Sequence, residues 1–273
     1  MTAGDAMTRV VVCGAMGRMG KAVLAVLKDR PYGLVLAGAV EAARHPALGR
    51  DAFEEAGVGR AGVSVSDDFP GAIAGADVAI DFTHAASSVA HARAAAAAGK
   101  AIVVGSTGFT PEQTDAVRSA ARAVPCVLSP NMSVGVNLMF KTAADMAKVL
   151  GDDYDVEIVE VHHRFKKDSP SGTAVKLADA VAGALGRTMG DAGVYGRRGM
   201  IGERTRKEIG VFAVRAGDVV GEHTLIFGGI GERLEITHRA HSRDTFARGA
   251  VRAAAWVIGQ PAGLYDMKAV LGL

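Results

Sequence analysis

Apolar residues along this chain fall into short continuous runs separated by helical patterns. Residues 10–13 form the first run, which stops at Gly14. A run of that kind fits a strand buried on both faces, as in a parallel sheet. A helical pattern follows over 17–28, a second apolar run over 34–40 ends at Glu41, and a third spans 77–82. An Ala-rich helix is expected over 86–98, a strand over 101–104, a helix opening near Pro111 and a strand over 126–128. Strands alternating with helices imply βαβ units and a doubly wound sheet. The rhythm then changes. A long helix over 134–150 leads into 156–161, where apolar and charged residues alternate as on a sheet with one wet face. A helix over 172–185 and a Gly- and Arg-rich stretch over 186–207, read as a long loop, come next. Three strand-like runs (209–214, 222–227, 232–237) and a final helix over 244–258 complete the pattern. The expected architecture is a Rossmann-type α/β domain, residues 1–131 plus 242–273, and an α+β domain with a mixed open sheet, residues 132–241.

Composition narrows the function. At 273 residues the chain is long enough for two modest domains, and the 49% of apolar residues supplies their cores. The net charge of +2 gives no basic face for nucleic acid. No run reaches the length of a membrane span, and residues 1–8 carry no signal-like apolar segment, so a cytoplasmic location is expected. Two cysteines, Cys13 and Cys126, are too few for a disulfide framework or a Cys-based metal site, and both fall in strand-like runs as buried thiols.

Gly14-Ala15-Met16-Gly17-Arg18-Met19-Gly20 directly follows the first strand and opens a helix. Glycine tolerates the dihedrals of a tight turn. It also lets backbone approach a pyrophosphate at a helix N-terminus, where free N–H groups and the helix dipole favour an anion. The G-x-x-G-x-x-G spacing departs from the common G-x-G-x-x-G and is weak by itself. Its place after the first strand, with Glu41 closing the second to meet the adenosine ribose, makes it a dinucleotide signature. Gly105-Ser106-Thr107-Gly108-Phe109 and Asp81-Phe82-Thr83 end two further strands, so they belong to the same carboxyl rim.

The second chemical signal is the stretch from Glu157 to Ala174, which begins as a strand and ends by starting a helix. It gathers His162, His163, Arg164, Lys166 and Lys167, and like charges crowd in this way around an anion. In a continuing strand His162 and His163 point to opposite faces. Lys166 follows on a loop. Ser171 is placed to cap a helix whose first N–H groups, with the Thr173 hydroxyl, can hold a carboxylate. Histidine exchanges protons near neutral pH, and the Lys166 ammonium can donate one. Adjacent histidines without a third ligand match no usual metal spacing, so no metal is expected.

These blocks, with 129–137 and 214–224, resemble the 4-hydroxy-tetrahydrodipicolinate reductase family, long called dihydrodipicolinate reductase, over almost the whole chain. The resemblance implies NADH- or NADPH-dependent reduction of a small cyclic dicarboxylate in the diaminopimelate route to lysine, by a homotetramer built through the second domain's sheet. It places the catalytic pair on His162 and Lys166, leaving open which donates the proton, and substrate contacts on His163, Gly172 and Thr173. It places cofactor contacts on Gly14, Ala15, Met16, Gly17, Arg18, Met19, Glu41, Gly105, Ser106, Thr107, Ser129, Pro130, Asn131 and Met132. Two departures stand out. Ala42 follows Glu41 where many relatives carry Arg, which weakens a 2′-phosphate clamp, and His84 replaces an arginine of some relatives. Dual cofactor use is expected, with NADH at least as good. The competing readings are a dinucleotide-binding regulator, which has no need of the His162–Lys166 cluster, and a related dehydrogenase with another substrate.

Overall fold

The structure is a computed structural model that describes residues 7–273. Its chain divides into two compact units, one running to Val134 and resuming over Arg243–Leu273, the other Gly135–Ser242.

The first unit contains, in chain order, β1 (Thr8–Cys13), α1 (Arg18–Leu27), β2 (Leu34–Val40), α2 (Ala52–Ala56), β3 (Val65–Ser66), α3 (Phe69–Ala74), β4 (Val78–Asp81), α4 (Ala85–Ala97), β5 (Ala101–Val104), α5 (Pro111–Ala120) and β6 (Pro125–Leu128). Its strands, with β12 described below, form a seven-stranded sheet in the order β12-β6-β5-β4-β1-β2-β3, and every pairing is parallel. The continuous apolar runs have a simple cause. Val10 and Val12 of β1 point into a core shared with α1, while Val11 and Cys13 point into a second core shared with α4 and α5. Both faces are buried, so apolar residues are favoured at both parities.

The second unit contains α6 (Val134–Leu150), β7 (Asp155–His162), α7 (Gly172–Ala184), α8 (Met189–Ala192), β8 (Gly193–Val194), β9 (Ile209–Arg215), β10 (Gly221–Gly228) and β11 (Arg233–Ala240). Its sheet runs β11-β10-β7-β9-β8, antiparallel on the β10 side and parallel between β7, β9 and β8. Helices α6 and α7 cover one face, over Val156, Ile158, Ile209, Val211, Leu225 and Phe227. The other face presents Glu157, Val159, Val161, Val214, Thr224 and Ile226, half-buried or exposed.

The chain then returns to the first unit as α9 (Asp244–Val257), β12 (Gly263–Tyr265) and α10 (Met267–Leu271). Ala247, Ala250, Val251, Ala254 and Val257 of α9 join the α1 side of the core. Small residues permit this close seat: a Cβ at Gly249 would lie 1.8 Å from the Met132 carbonyl oxygen.

Three expectations need correction. The helix over 244–258 is not final, because β12 adds an edge strand beside β6 and α10 follows it. The 186–207 stretch is not all loop, since it holds α8 and the edge strand β8. It is also tied down by Arg197 and Arg204, which both bind the Glu157 carboxylate. Between Glu41 and Asp77, where no element was expected, lie α2, β3 and α3. All of these pieces are two to six residues long, too short to show a period. Among the described residues no helix is long and apolar enough to cross a membrane.

Candidate functional site

In the first unit the parallel strands bring their carboxyl ends to one rim. There a pocket of about 380 Å³ is lined by Gly14, Gly17, Val40, Glu41, Ala42, Ala43, Asp67, Phe82, Thr83, His84, Ser87 and His91. The glycines are dictated by space. Gly14 sits at φ +70°, and a Cβ there would lie 3.0 Å from the Phe82 carbonyl oxygen. A Cβ at Gly20 would lie 2.0 Å from the Gly14 carbonyl oxygen, so only glycine lets the helix close onto the turn. Gly105 is bounded by the Phe82 ring, 2.2 Å from where its Cβ would stand. Gly17 is the N-cap of α1 with no side chain capping the helix, so the first N–H groups of α1 have no side-chain acceptor. A glycine cradle, an uncapped ten-residue helix and an acidic strand end fit the pyrophosphate and ribose of a dinucleotide.

Glu41 is already anchored. Its carboxylate accepts hydrogen bonds from Met16 N at 2.8 Å and Ala42 N at 3.1 Å, so it braces the glycine turn as well as facing the pocket. Beneath the same rim Asp81, fully buried, accepts hydrogen bonds from Thr83 N, Thr83 Oγ1 and Ser88 Oγ, and pairs with His91 Nδ1 at 2.6 Å. Ser106 is drawn inward by Ser88 Oγ at 2.8 Å. Cys13, Asp81 and His91 have potential metal-binding atoms within 4.8 Å of one another. The many donors on Asp81 mark a hydrogen-bonded brace for the rim, and burial pushes the Cys13 thiol well up, which opposes the thiolate that a metal needs.

The expected cofactor contacts do not all converge. Gly14, Gly17 and Glu41 share the pocket. Ala15 and Met132 turn their side chains into the core, Met16 and Met19 are half-buried, and Arg18 is exposed on the first turn of α1. Gly105 and Thr107 lie on the rim after β5. Ser129, after β6, bonds the Asn131 carbonyl through its hydroxyl at 2.9 Å, Pro130 is exposed, and the Asn131 side chain accepts from Ser133 N. These three order the turn into α6.

In the second unit the centre is Glu160, which carried no role in the sequence reading. It is fully buried on β7. Its carboxylate takes two hydrogen bonds from Arg215, at 2.8 and 2.9 Å, one from Ser171 N at 2.9 Å, and pairs with His162 Nδ1 at 2.5 Å. A single carboxylate therefore joins β7, the end of β9 and the start of α7. One signal was available: in the alternation of β7, positions 156, 158, 160 and 162 face the core, so Glu160 is a charge at an inward position. Burial alone would raise its carboxyl, but Arg215, His162 and the Ser171 N–H outweigh that and hold it below the usual range. An ionised Glu160 only accepts, so the proton of neutral His162 lies on Nδ1 and its Nε2 is the acceptor. Nε2 looks toward Gly221, where a Cβ would stand 3.0 Å away. Burial holds the His162 pKa below its ordinary value, aided by the Lys166 and Arg215 charges and opposed by Glu160.

β7 ends at His162, and the next turn is held by His163 N on the Val219 carbonyl and Arg164 N on the Gly217 carbonyl. This bend brings His163 onto a loop, where its Nδ1 is buried without a hydrogen-bond partner. Lys166 Nζ binds both oxygens of Asp168 at 2.9 Å. Ser171 caps α7 by accepting from Ala174 N at 3.1 Å. Gly172, first residue of α7, has open space where a Cβ would stand, and Thr173 follows it. Thus His162, Ser171 and Lys166 are tied through Glu160, Arg215 and Asp168, the last linked to Arg215 through its backbone carbonyl at 2.7 Å.

His223, on β10, meets the His162 ring edge-on with centroids 5.2 Å apart, and its Nε2 lies 3.0 Å from Ser171 Oγ. Burial lowers its pKa from 6.5 to about 4. The unfolded chain therefore binds a proton that the folded chain refuses, so stability falls as pH drops through this window, by about 3 kcal/mol in all. Urea unfolding at several pH values should show this slope, and His223→Gln should flatten it. An unchanged slope in the variant would clear His223 of the effect.

A parallel sheet with a glycine cradle on its carboxyl rim, followed by a mixed-sheet unit with a cluster of His162, Lys166 and Arg215 about Glu160, fits an oxidoreductase of the two-unit kind. The family described as "Dihydrodipicolinate reductase, N-terminus" matches residues 8–132, and "Dihydrodipicolinate reductase, C-terminus" matches residues 135–271. A 4-hydroxy-tetrahydrodipicolinate reductase of Syntrophus aciditrophicus (strain SB) is 56% identical over 97% of this chain and 99% of its own length. One from Anaeromyxobacter dehalogenans (strain 2CP-1 / ATCC BAA-258) is 59% identical over 98% of each. The solved dipicolinate-bound dihydrodipicolinate reductase from Paenisporosarcina sp. TG-14 shares the fold, with a TM-score of 0.75 at 24% identity over 96% of this chain and 98% of that one. The chain belongs to the dihydrodipicolinate reductase family.

Proposed function

We propose that this protein reduces 4-hydroxy-tetrahydrodipicolinate, or its dehydrated form dihydrodipicolinate, to tetrahydrodipicolinate with NADH or NADPH, in the diaminopimelate route to lysine. The observation that carries this reading is the Glu160-centred cluster, in which one buried carboxylate meets His162, Arg215 and the backbone N of Ser171 at the α7 cap, with Lys166 joined to it through Asp168. When bound, the nicotinamide supplies the hydride. The balance is one hydride and one proton in, with one water leaving the hydroxylated substrate.

The residues divide the work. The glycine turn, Glu41 and the rim after β4, β5 and β6 hold the dinucleotide. The α7 N-terminus at Gly172 and Thr173 holds a substrate carboxylate, with half-buried His163 as a further substrate contact. Lys166 gives the proton. His162, with its pKa lowered and Nδ1–H committed to Glu160, is neutral at pH 7 and acts as an acceptor at Nε2. That division favours Lys166 as the immediate donor. Glu160 is a positioning residue for His162.

The open face of the second unit's sheet suits assembly into a homotetramer, since another copy would cover Val159, Val161, Val214 and Ile226. A cytoplasmic location fits a biosynthetic reductase. Both cofactors are expected to serve, NADH at least as well, because Ala42 follows Glu41 and the pocket lining holds neither Lys nor Arg.

The test is absorbance at 340 nm with NADH and, separately, NADPH, the substrate being generated in situ by its synthase. Substrate-dependent oxidation is the expected result. Binding of cofactor with no oxidation would overturn the proposed reaction and favour a dinucleotide-binding regulator.

A further inference from the structure

Asp67 was singled out by nothing in the sequence pattern, because the two-residue strand before it is too short to read. The parallel register pairs Val40 with Ser66, so the chain leaves β2 and β3 side by side at the same rim. The next residues are Glu41 and Asp67, and Glu41 N bonds the Ser66 carbonyl at 2.9 Å. Both line the pocket together with Ala42 and Ala43. The two carboxylates differ in their ties. Glu41 is held by Met16 N and Ala42 N, whereas Asp67 is exposed and makes no hydrogen bond or ion pair among the described residues. The neighbouring Asp68 is the one that caps α3, accepting from Gly71 N at 2.9 Å.

We infer that Asp67 is a specificity-determining residue of the dinucleotide pocket, a second carboxylate that disfavours the 2′-phosphate of NADPH while leaving NADH unaffected. The inference rests on the dinucleotide reading of this pocket. A 2′-phosphate near neutral pH carries between one and two negative charges. Glu41 alone repels it, and the usual remedy, a cation beside the ribose, is missing from the lining, whose only basic side chains are His84 and His91. Of the two, His91 is committed to Asp81 at 2.6 Å. Arg44, just beyond Ala43, is exposed at φ +69° and is not part of the lining. An unpaired Asp67 thus adds a repulsion that nothing in the pocket offsets. NADH, with a ribose hydroxyl in place of the phosphate, brings no added charge for Asp67 to repel.

The experiment is direct titration of the full chain with NADH and with NADPH, followed by nicotinamide fluorescence and by calorimetry, without substrate. Wild type and Asp67→Asn are compared at low salt and at about 1 M salt, where the screening length falls to about 3 Å. Asp67→Asn is expected to tighten NADPH by about threefold to tenfold at low salt and to move NADH by less than twofold, because two charges a few ångströms apart in water interact at that strength. The gain should shrink at high salt. Asp67→Lys should enlarge it, which separates charge from a change of loop shape. A gain equal for both cofactors, or none for NADPH, overturns the inference while the pocket's reading stands. Wild type binding neither cofactor takes down both.

Discussion

Lys166→Ala is expected to bind NADH as wild type does and to lose about 10²- to 10⁴-fold in kcat, the range that a positioned general acid contributes. The proposed cofactor residues lie in the other compact unit, so cofactor affinity should be unchanged, and a urea-unfolding curve checks the fold of the unit that carries Lys166. Lys166→Arg sharpens the test. Arginine keeps the positive charge beside Asp168 but does not release its proton at any working pH. The arginine variant should therefore recover much of the substrate affinity and little of the turnover. Steady-state kinetics with both cofactors reads kcat and KM apart. Unchanged kcat in the alanine variant would remove Lys166 from the proton transfer and return the role to His162.

Glu160→Gln is the second large effect, and it should appear in stability and in catalysis together. Glutamine has the same shape but a single acceptor oxygen, and its amide N–H groups would point at donors of Arg215, Ser171 or His162. Breaking a buried ion pair on one side costs about 3–5 kcal/mol. Arg215 keeps about a fifth of its side chain in solvent, so a loss of about 2–3 kcal/mol is expected here. Because the folded Glu160 carboxyl lies below its usual range, its contribution is fully present above the unfolded pKa. It is lost as pH falls through the folded value, so urea-unfolding curves of wild type and variant should converge in acid. With Glu160 gone, His162 loses the acceptor that sets its tautomer. The kcat/KM pH profile should shift along with a fall in kcat, a signature that a purely structural role would not give. A variant of normal stability and unchanged pH profile would end the positioning role.

Much of this molecule is legible without coordinates. The runs over 10–13, 34–40 and 101–104 are apolar at every position because both faces of the first sheet are covered, and that pattern has no other economical reading. The glycine turn is legible because Gly14 takes a positive φ and a Cβ at Gly20 would collide with the Gly14 backbone. What escaped is short or non-local. Strands β3 and β12 are two and three residues long and exist because neighbours offer a free edge. Asp67 reaches the pocket only through β3. Arg215 and His223 reach Glu160 and Ser171 from 55 and 52 residues away.

The sequence by itself therefore determined the doubly wound sheet, the dinucleotide cradle and the local block that carries His162, Lys166 and the α7 cap. Each rests on periodicity, steric need or contacts between residues close in the chain. Only the tertiary structure decided that Glu160 is the hub, that the 186–207 stretch is tied to Glu157, and which of the expected contacts share one pocket. Those outcomes depend on strand register and on the cost of burying a charge. Both are settled when distant segments pair and expel water from between them.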